Sequence, residues 1–196
     1  MLNGVWCKTY PAPPVDKGEI LRYAGCKGQI GEQTAALLEE CLAECEGTFS
    51  YRACGGLFDV KQQHDGVFIG EMLINSQSLA AHLQACSKAA VFAATVGLSI
   101  DRLIAKYANV NTAKAYMFQA IGAERIEALC DEVCEELKTL GNTKTRFSPG
   151  YGDFPLQTQK ELVAILDCGK KIGLNLNDSL LMTPTKSVTA IVGIEL

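Results

Sequence analysis

Apolar positions along the chain recur mainly with a helical period. The longest such stretch covers residues 112–140, where apolar side chains return every three to five positions and Gly141 closes the run. This stretch predicts a long helix that forms the spine of the fold. Shorter helical patterns are predicted at residues 17–24, 32–46, 76–86, from 99 or 100 onward, 155–167, and in a short turn that ends at Gly173.

Strand-like patterns lie between these helices. Residues 49–73 contain β-like segments around His64-Asp65-Gly66, and an Asp-Gly pair between apolar runs favours a hairpin. Residues 89–97 are typical of a fully buried strand, and residues 188–194 alternate as a last strand. Residues 1–16 carry three of the six prolines and predict an extended lead-in or an edge strand.

The order of these elements indicates an α+β fold. Helices surround hairpin-like and isolated strands without the regular strand-helix alternation of a doubly wound sheet. A chain of 196 residues with 48% hydrophobic content is enough for one core, so one domain is expected. Neither a GxGxxG nor a GxxxxGK motif occurs, which argues against a dinucleotide fingerprint and a phosphate-binding loop.

Composition narrows the classes of partner. The chain has 18 basic and 22 acidic side chains, a net charge of −4, and no basic run, so we expect no nucleic-acid partner. The N-terminal residues lack an export signal, and the longest nearly apolar run, residues 89–100, is too short to cross a bilayer. Nine cysteines, an odd number, fit reduced thiols. We therefore expect a cytoplasmic protein without a membrane partner.

Two cysteine pairs have a spacing that is compatible with metal binding from one face of a helix. Cys41 and Cys45, and likewise Cys130 and Cys134, are four residues apart on predicted helices. The same positions fall on or beside apolar stripes, and a free cysteine packs as a small hydrophobic side chain. Core packing is therefore favoured over a zinc or iron-sulfur site.

The richest candidate chemistry lies in the turn from Arg146 to Pro155. Pro149 fixes one backbone angle and Gly150 permits a positive φ, so main-chain groups approach a ligand closely there. The Arg146 guanidinium is suited to hold a carboxylate through two hydrogen bonds. The alternative is that Pro-Gly merely ends an element and Arg146 is a surface cation. Most of the acidic residues along the long helix, Glu124, Glu127, Asp131 and Glu135, are expected on its solvated face. Glu127, however, follows an apolar stripe position, and a partly buried carboxylate there needs either Arg146 or a positively charged ligand.

The same residues carry a family resemblance. The pattern Arg146-x-x-Pro149-Gly150-Tyr151-x-x-x-Pro155, followed by Met182-x-Pro184-x-x-Ser187-Val188, resembles the activation domain of cobalamin-dependent methionine synthase. The resemblance covers residues 49–194 and includes segments near residues 78–83, 91–97 and 120–137. Such domains also occur as separate short chains, and we expect this chain to be one of them.

The resemblance implies a fold and a domain division. It implies an α+β domain in which helices surround a twisted antiparallel sheet. Residues 1–196 would form a single activation-like domain, in which residues 1–48 are an N-terminal lead-in with helices and residues 49–194 are the region of resemblance.

The resemblance also implies a binding site for S-adenosylmethionine (AdoMet). Arg146 would take the carboxylate, the main chain of residues 148–151 would hold the adenine and ribose, and Glu127 would offset the positive end. No catalytic side chain and no metal ligand are implied. The implied binding residues are Glu127, Arg146, Ser148, Pro149, Gly150 and Tyr151.

The implied function is that of an accessory component in methyl transfer. The domain would present AdoMet to the corrinoid of a methionine synthase or related methyltransferase, so that an inactive cobalamin held by that partner is remethylated after one-electron reduction. A flavodoxin or ferredoxin would supply the electron. Two alternatives stay open: an AdoMet-independent interaction or scaffold protein for a corrinoid methyltransferase, and a self-contained methyltransferase with its own acceptor pocket and general base.

Overall fold

A computed structural model describes residues 4–195 of the chain. The helices are α1 (Lys17–Tyr23), α2 (Glu32–Cys45), α3 (Gln77–His82), α4 (Ser99–Tyr107), α5 (Thr112–Leu137), α6 (Gln159–Ile165) and α7 (Cys168–Ile172). The strands are β1 (Trp6–Thr9), β2 (Arg52–Gln63), β3 (Gly66–Ile69), β4 (Met72–Ile74), β5 (Lys88–Thr95), β6 (Asn142–Thr143), β7 (Asn175–Leu176), β8 (Met182–Thr183) and β9 (Ser187–Glu195). Within residues 4–195, none of the helices combines the length and the apolar character needed to cross a membrane.

One antiparallel sheet forms the centre of the fold. Its strand order is β4-β3-β2-β5-β9-β6, with β1 paired to the first half of β2. The predicted hairpin is confirmed, because Gln63 pairs with Gly66 across the two-residue loop His64-Asp65. The strand predicted at residues 89–97 is β5, which lies between β2 and β9. A second, two-stranded sheet joins β7 to β8.

Helices cover both faces of the large sheet. On one face, Phe92 of β5 and Val192 of β9 pack in a core with α1, α2 and α5. On the other face, Val91 and Ile191 pack with α3, α6 and α7. Neighbouring residues of each central strand therefore point to opposite cores, as the period of a strand requires. The predicted α+β fold with helices around an antiparallel sheet is confirmed.

Several predicted boundaries were wrong. α3 ends at His82 and not near residue 86, and Ala85 adopts a positive φ of 70°. The long helix ends as an α-helix at Leu137 and continues as a 3₁₀ turn to residue 140. The helix predicted at residues 155–167 begins as a 3₁₀ turn and is α-helical only in α6. The short strands β6, β7 and β8 were not predicted.

The N-terminal segment contains an edge strand, as one of the two alternatives predicted. β1 accounts for residues 6–9, and residues 1–3 of the predicted lead-in lie outside the described residues. Further along, Arg125 of α5 donates hydrogen bonds to the carbonyl oxygens of Pro13 (2.7 Å) and Pro14 (2.6 Å). This side chain therefore fixes the proline-rich segment against α5.

The partner of Arg125 corrects a prediction about the long helix. Glu124 was grouped with residues expected on the solvated face, yet it is only 4% exposed and forms an ion pair with Arg125, which is 2% exposed. A buried carboxylate of this kind is tolerated because the guanidinium and the main-chain amide of Asp16 (3.0 Å) satisfy its oxygens.

Candidate functional site

A pocket of about 360 Å³ lies beside the N-terminal end of β9. Its walls bring together five of the six predicted site residues, contributed by α5 and by the turn after β6. Gly150 is the exception, since it lies in the turn but not on the pocket wall. The predicted residues on the wall are Glu127, Arg146, Ser148, Pro149 and Tyr151.

Arg146 is held by two carboxylates of α5. Its Nη2 lies 2.7 Å from Asp131 Oδ1 and 3.1 Å from Glu127 Oε2. Glu127 and Asp131 are one helical turn apart, so both reach the same guanidinium. The arginine side chain is 23% exposed, which makes it part of the pocket wall and not a freely solvated cation.

Two thiols also face Arg146 from α5, and both are neutral at pH 7. Burial raises the pKa of Cys134 to about 11. Complete burial raises the pKa of Cys130 well above the ordinary range for a thiol. The anions that balance Arg146 on this side are therefore Glu127 and Asp131.

Some amide donors of the turn after Arg146 form hydrogen bonds within the turn itself. Gly150 has a φ of 95°, and its N–H donates to the Phe154 carbonyl oxygen at 2.8 Å. The Tyr151 N–H donates to the Ser148 carbonyl oxygen at 3.2 Å. Among the residues the structure describes, no main-chain N–H bonds to the carbonyl oxygens of Pro149 and Gly150. These two carbonyl oxygens are therefore available as acceptors.

Aromatic packing and a strand contact fix the turn in place. Phe147 and Ile191 exchange two main-chain hydrogen bonds of 2.9 Å, which attaches the start of the turn to β9. The Phe147 ring stacks on Phe154 at a centroid distance of 6.1 Å, and Phe154 is 1% exposed. The turn is therefore anchored at both ends.

Asp153 adds a third anchor, to the first turn of α3. Its carboxylate accepts hydrogen bonds from Ser76 Oγ (2.5 Å) and from the main-chain amides of Gln77 (2.8 Å) and Ser78 (3.1 Å). These donors favour the ionised form and lower the pKa of Asp153 to about 2. The carboxylate is charged at neutral pH and stabilises the helix N-terminus.

Comparison with known proteins identifies the family of this chain. A family model described as the activation domain of vitamin B12-dependent methionine synthase matches residues 76–195. The chain belongs to this family. The matched segment contains every residue of the pocket wall, from Glu127 of α5 to Thr189 of β9.

A comparison of structures agrees with the family on the fold. A crystal structure of the MetH reactivation domain bound to AdoHcy (S-adenosylhomocysteine) is similar, with a TM-score of 0.78 and 18% sequence identity. The match covers 98% of this chain and 78% of that chain. It extends the similarity in fold to α1, α2 and β1, which precede the segment matched by the family model. A search of curated proteins by sequence gives no match.

Further residues line the pocket of this activation-domain family member. They were not among the site residues predicted from the sequence. Three of them lie in the motif that carried the resemblance, whereas Gln159 and Thr189 had no distinguishing signal in the sequence. Gln159 is 6% exposed and its Nε2 donates to the Leu180 carbonyl oxygen at 3.0 Å. The additional wall residues are Gln159, Met182, Ser187, Val188 and Thr189.

Ser187 and Thr189 differ in how their hydroxyl groups are satisfied. Ser187 Oγ lies 2.8 Å from Thr95 Oγ1 and 2.7 Å from the Pro184 carbonyl oxygen. Thr189 is 2% exposed, and its Oγ1 is buried without a hydrogen-bond partner. A buried hydroxyl without a partner is unusual and calls for an explanation.

The cysteine pairs are parts of the core. Cys41, Cys45 and Cys130 are buried among apolar side chains, and Cys134 packs at the edge of the same cluster. Within residues 4–195, no group of three or more His, Cys, Asp or Glu side chains is arranged to hold a metal ion.

Proposed function

We propose that this chain binds AdoMet in the pocket beside β9 and presents its methyl group to a reduced corrinoid held by a partner protein. One observation carries the proposal: in a member of the activation-domain family, a single pocket joins Arg146, Glu127 and the proline-glycine turn. The AdoHcy-bound reactivation domain with the same fold supports this choice of ligand.

The charges of the pocket fit the amino-acid end of AdoMet. That end carries a carboxylate and an ammonium group on one carbon, and the wall presents Arg146 and Glu127 with charged atoms 3.1 Å apart. Arg146 would hold the carboxylate and Glu127 the ammonium group. Asp131, behind Arg146, adds a second negative charge, so the three side chains together are formally −1 while AdoMet is formally +1.

The turn fits the adenine and ribose. Adenine offers an amino group as a hydrogen-bond donor, and the carbonyl oxygen of Pro149, a residue of the pocket wall, is an acceptor of the matching type. The Tyr151 ring is 67% exposed on the same wall and offers an aromatic face to the purine. Ser148 supplies a hydroxyl group on the same wall.

The chain's own part in the reaction is binding and orientation. A corrinoid on the partner, once reduced by one electron from a flavodoxin or ferredoxin, supplies the nucleophile that takes the methyl group. The sulfonium S–C bond breaks with its electron pair left on sulfur, and AdoHcy leaves the pocket. Holding AdoMet in a fixed pose raises the effective concentration of the methyl group, for which no acid or base is required.

The surroundings of the pocket suit a protein partner. Tyr151, Leu156 and Leu181 are 67%, 42% and 64% exposed at or beside its mouth. Leu156 approaches the turn at Gly150, and Leu181 precedes the wall residue Met182. Exposed apolar side chains gathered around a site are typical of an interaction surface. We propose that the partner, a methionine synthase or related corrinoid methyltransferase, docks here.

We also propose that residues 1–196 form one domain. Ile20 of α1 and Leu38 of α2 belong to the same core as Phe118 of α5. Arg125 further binds the main chain at Pro13 and Pro14. The helices α1 and α2 thus share their core with the segment that carries the site.

A reactivation assay tests the function. A corrinoid-carrying fragment of a methionine synthase is oxidised to the inactive Co(II) state and mixed with a reductant, AdoMet and this chain, and methylcobalamin is followed by its absorbance. Methylation that requires both the chain and AdoMet supports the proposal. Capture of the fragment that is independent of AdoMet, with no methylation, would instead support the scaffold alternative.

A further inference from the structure

The edge of β9 beside the pocket is unpaired at Thr189. Main-chain groups of an antiparallel strand face its two neighbours alternately. The N–H and C=O of Ile191 bond to Phe147, on the side of β9 away from β5. Thr189, two positions away, therefore directs its N–H and C=O to the same side. β6 reaches only Ile194 and Glu195, so among residues 4–195 no strand pairs with β9 at Thr189 on that side.

Pro149 explains why this edge is open. Phe147 pairs with Ile191, so two positions further along in the antiparallel register the chain would place Pro149 opposite Thr189. A proline has no N–H to donate to the Thr189 carbonyl oxygen. The chain turns away instead, through Gly150 with its positive φ of 95°. One donor and one acceptor of β9 are left facing the space that the turn encloses.

That space is the pocket. Thr189 is on its wall together with Arg146 and Glu127. Thr189 also has the buried hydroxyl group without a partner, so packing within the fold leaves its polar atoms incompletely satisfied. An open strand edge and the charged pair thus border the same cavity.

We propose that the main chain of Thr189 is a further binding determinant, which pairs with the α-amino-acid end of the ligand as it would with a residue of an added strand. This inference rests on the proposed function, to which it adds a binding residue, Thr189, and an orientation for the bound ligand. The Thr189 N–H donates to a carboxylate oxygen, and the Thr189 carbonyl oxygen accepts from the ammonium group.

An α-amino acid matches this edge because its donor and acceptor are attached to one carbon, as they are in a peptide residue. The pairing leaves the second carboxylate oxygen for Arg146 and two ammonium hydrogens for Glu127. Both ends of the zwitterion then have a charged partner and a main-chain partner. A sulfonium nucleoside without the carboxylate has no group for the Thr189 N–H to bind.

An amide-to-ester substitution tests the pairing in the full chain. Incorporating the α-hydroxy acid counterpart of threonine at position 189 removes the N–H and keeps the side chain. Affinities for AdoMet, AdoHcy and decarboxylated AdoMet are measured by calorimetry. We expect the ester to lower the affinity for AdoMet and AdoHcy by about tenfold or more, which is the effect of one lost charge-assisted hydrogen bond. The affinity for decarboxylated AdoMet should not change.

A second ester, at Ile191, checks the structural premise. Each ester makes the preceding carbonyl, of Val188 or Ala190, a poorer hydrogen-bond acceptor towards β5. Only the ester at Ile191 also removes an N–H that is already bonded, to the Phe147 carbonyl oxygen at 2.9 Å. The melting temperature of the free chain should therefore fall further for Ile191 than for Thr189. An equal or larger fall for Thr189 would show that its amide is engaged within the fold and would overturn the inference.

The other outcomes separate this inference from the proposed function. If the ester at Thr189 weakens decarboxylated AdoMet as much as AdoMet, the edge binds another part of the ligand and the inference is wrong. If the ester weakens the binding of no ligand while Arg146→Ala still weakens the binding of AdoMet, the inference fails and the proposed function stands. If the wild-type chain binds neither AdoMet nor AdoHcy, the proposed function fails and the inference falls with it.

Discussion

Glu127 Oε2 lies 3.1 Å from Arg146 Nη2, so the pocket wall presents a negative and a positive group side by side. Asp131 holds the same guanidinium from one turn further along α5, at 2.7 Å. Only Glu127 and Arg146 of these three line the pocket. The pair is thereby oriented for a ligand that carries both charges at one end.

Replacing Glu127 with glutamine should weaken AdoMet and AdoHcy by a similar factor, about tenfold. The reason is that the ammonium group, which both ligands carry, loses a charge-assisted partner. Calorimetric titration of both ligands measures the two factors. Asp131→Asn is the matched control, because it removes a carboxylate from the same guanidinium but not from the pocket wall, and its effect should be smaller. A loss confined to AdoMet would place Glu127 against the sulfonium instead.

The lowered pKa of Asp153 predicts that its contribution to the stability of the fold is lost in acid. Its pKa falls from an ordinary value of 3.8 to about 2, chiefly because of the hydrogen bond from Ser76. A lowered pKa in the folded state stabilises the fold fully above the unfolded value, and this contribution is lost as the pH falls from about 4 to 2. Asp153→Asn should therefore be less stable than the wild type at pH 6, and the difference should shrink towards pH 2.

Urea unfolding at a series of pH values measures that difference. Asp65→Asn serves as a control, since Asp65 is 78% exposed in the β2–β3 loop, remote in sequence from the turn. The difference between wild type and Asp65→Asn should not show the same decline. A stability difference for Asp153→Asn that stays constant down to pH 2 would contradict the role of the carboxylate as a cap of α3.

The buried hydroxyl of Thr189 predicts a stabilising substitution. Thr189→Val keeps the shape of the side chain and removes a polar atom that has no partner, so the free energy of unfolding should rise by about 1 kcal/mol. Thr95→Val is the matched control: Thr95 is also buried, but its Oγ1 accepts from the Gly97 amide at 3.2 Å and meets Ser187. That variant should be destabilised. Equal losses in the two variants would show that Thr189 Oγ1 is satisfied.

The exposed apolar side chains around the pocket predict a variant that docks poorly on the partner but still binds AdoMet. Leu181→Glu places a charge on the proposed partner surface, so it should slow methylation of the corrinoid fragment while calorimetry still detects AdoMet binding. Leu73→Glu is the control, because Leu73 is 48% exposed on β4, at the opposite edge of the sheet. Equal methylation rates for the two variants would remove Leu181 from the docking surface.

Strong local signals made much of this fold predictable from the sequence. The glycine after α1 and the glycine after α2 have positive φ values of 70° and 68° and end their helices where predicted. The uninterrupted apolar run of β5 gave the centre of the sheet, because a strand covered by helices on both faces has no polar side. The family motif led to five residues of one pocket wall.

What could not be predicted depends on distant contacts. Glu124 has the sequence neighbourhood of a solvated residue. Its burial is explained by the distant Asp16 amide and by Arg125, which the Pro13 and Pro14 carbonyl oxygens hold in place. β6 has two residues and exists because β9 lies beside it. Thr189 lies in the site because of the register between β9 and the turn, and no local sequence pattern encodes that register.

The most direct test of the account is the affinity of the chain for AdoMet with and without Arg146. Titration calorimetry on the wild type, Arg146→Ala, Arg146→Lys and the surface control Arg22→Ala, each checked for folding by circular dichroism, measures it. We predict that the wild type and Arg22→Ala bind equally, that Arg146→Lys binds more weakly because it lacks the two-pronged contact, and that Arg146→Ala loses roughly a hundredfold. A folded Arg146→Ala that binds AdoMet as tightly as the wild type would contradict the account.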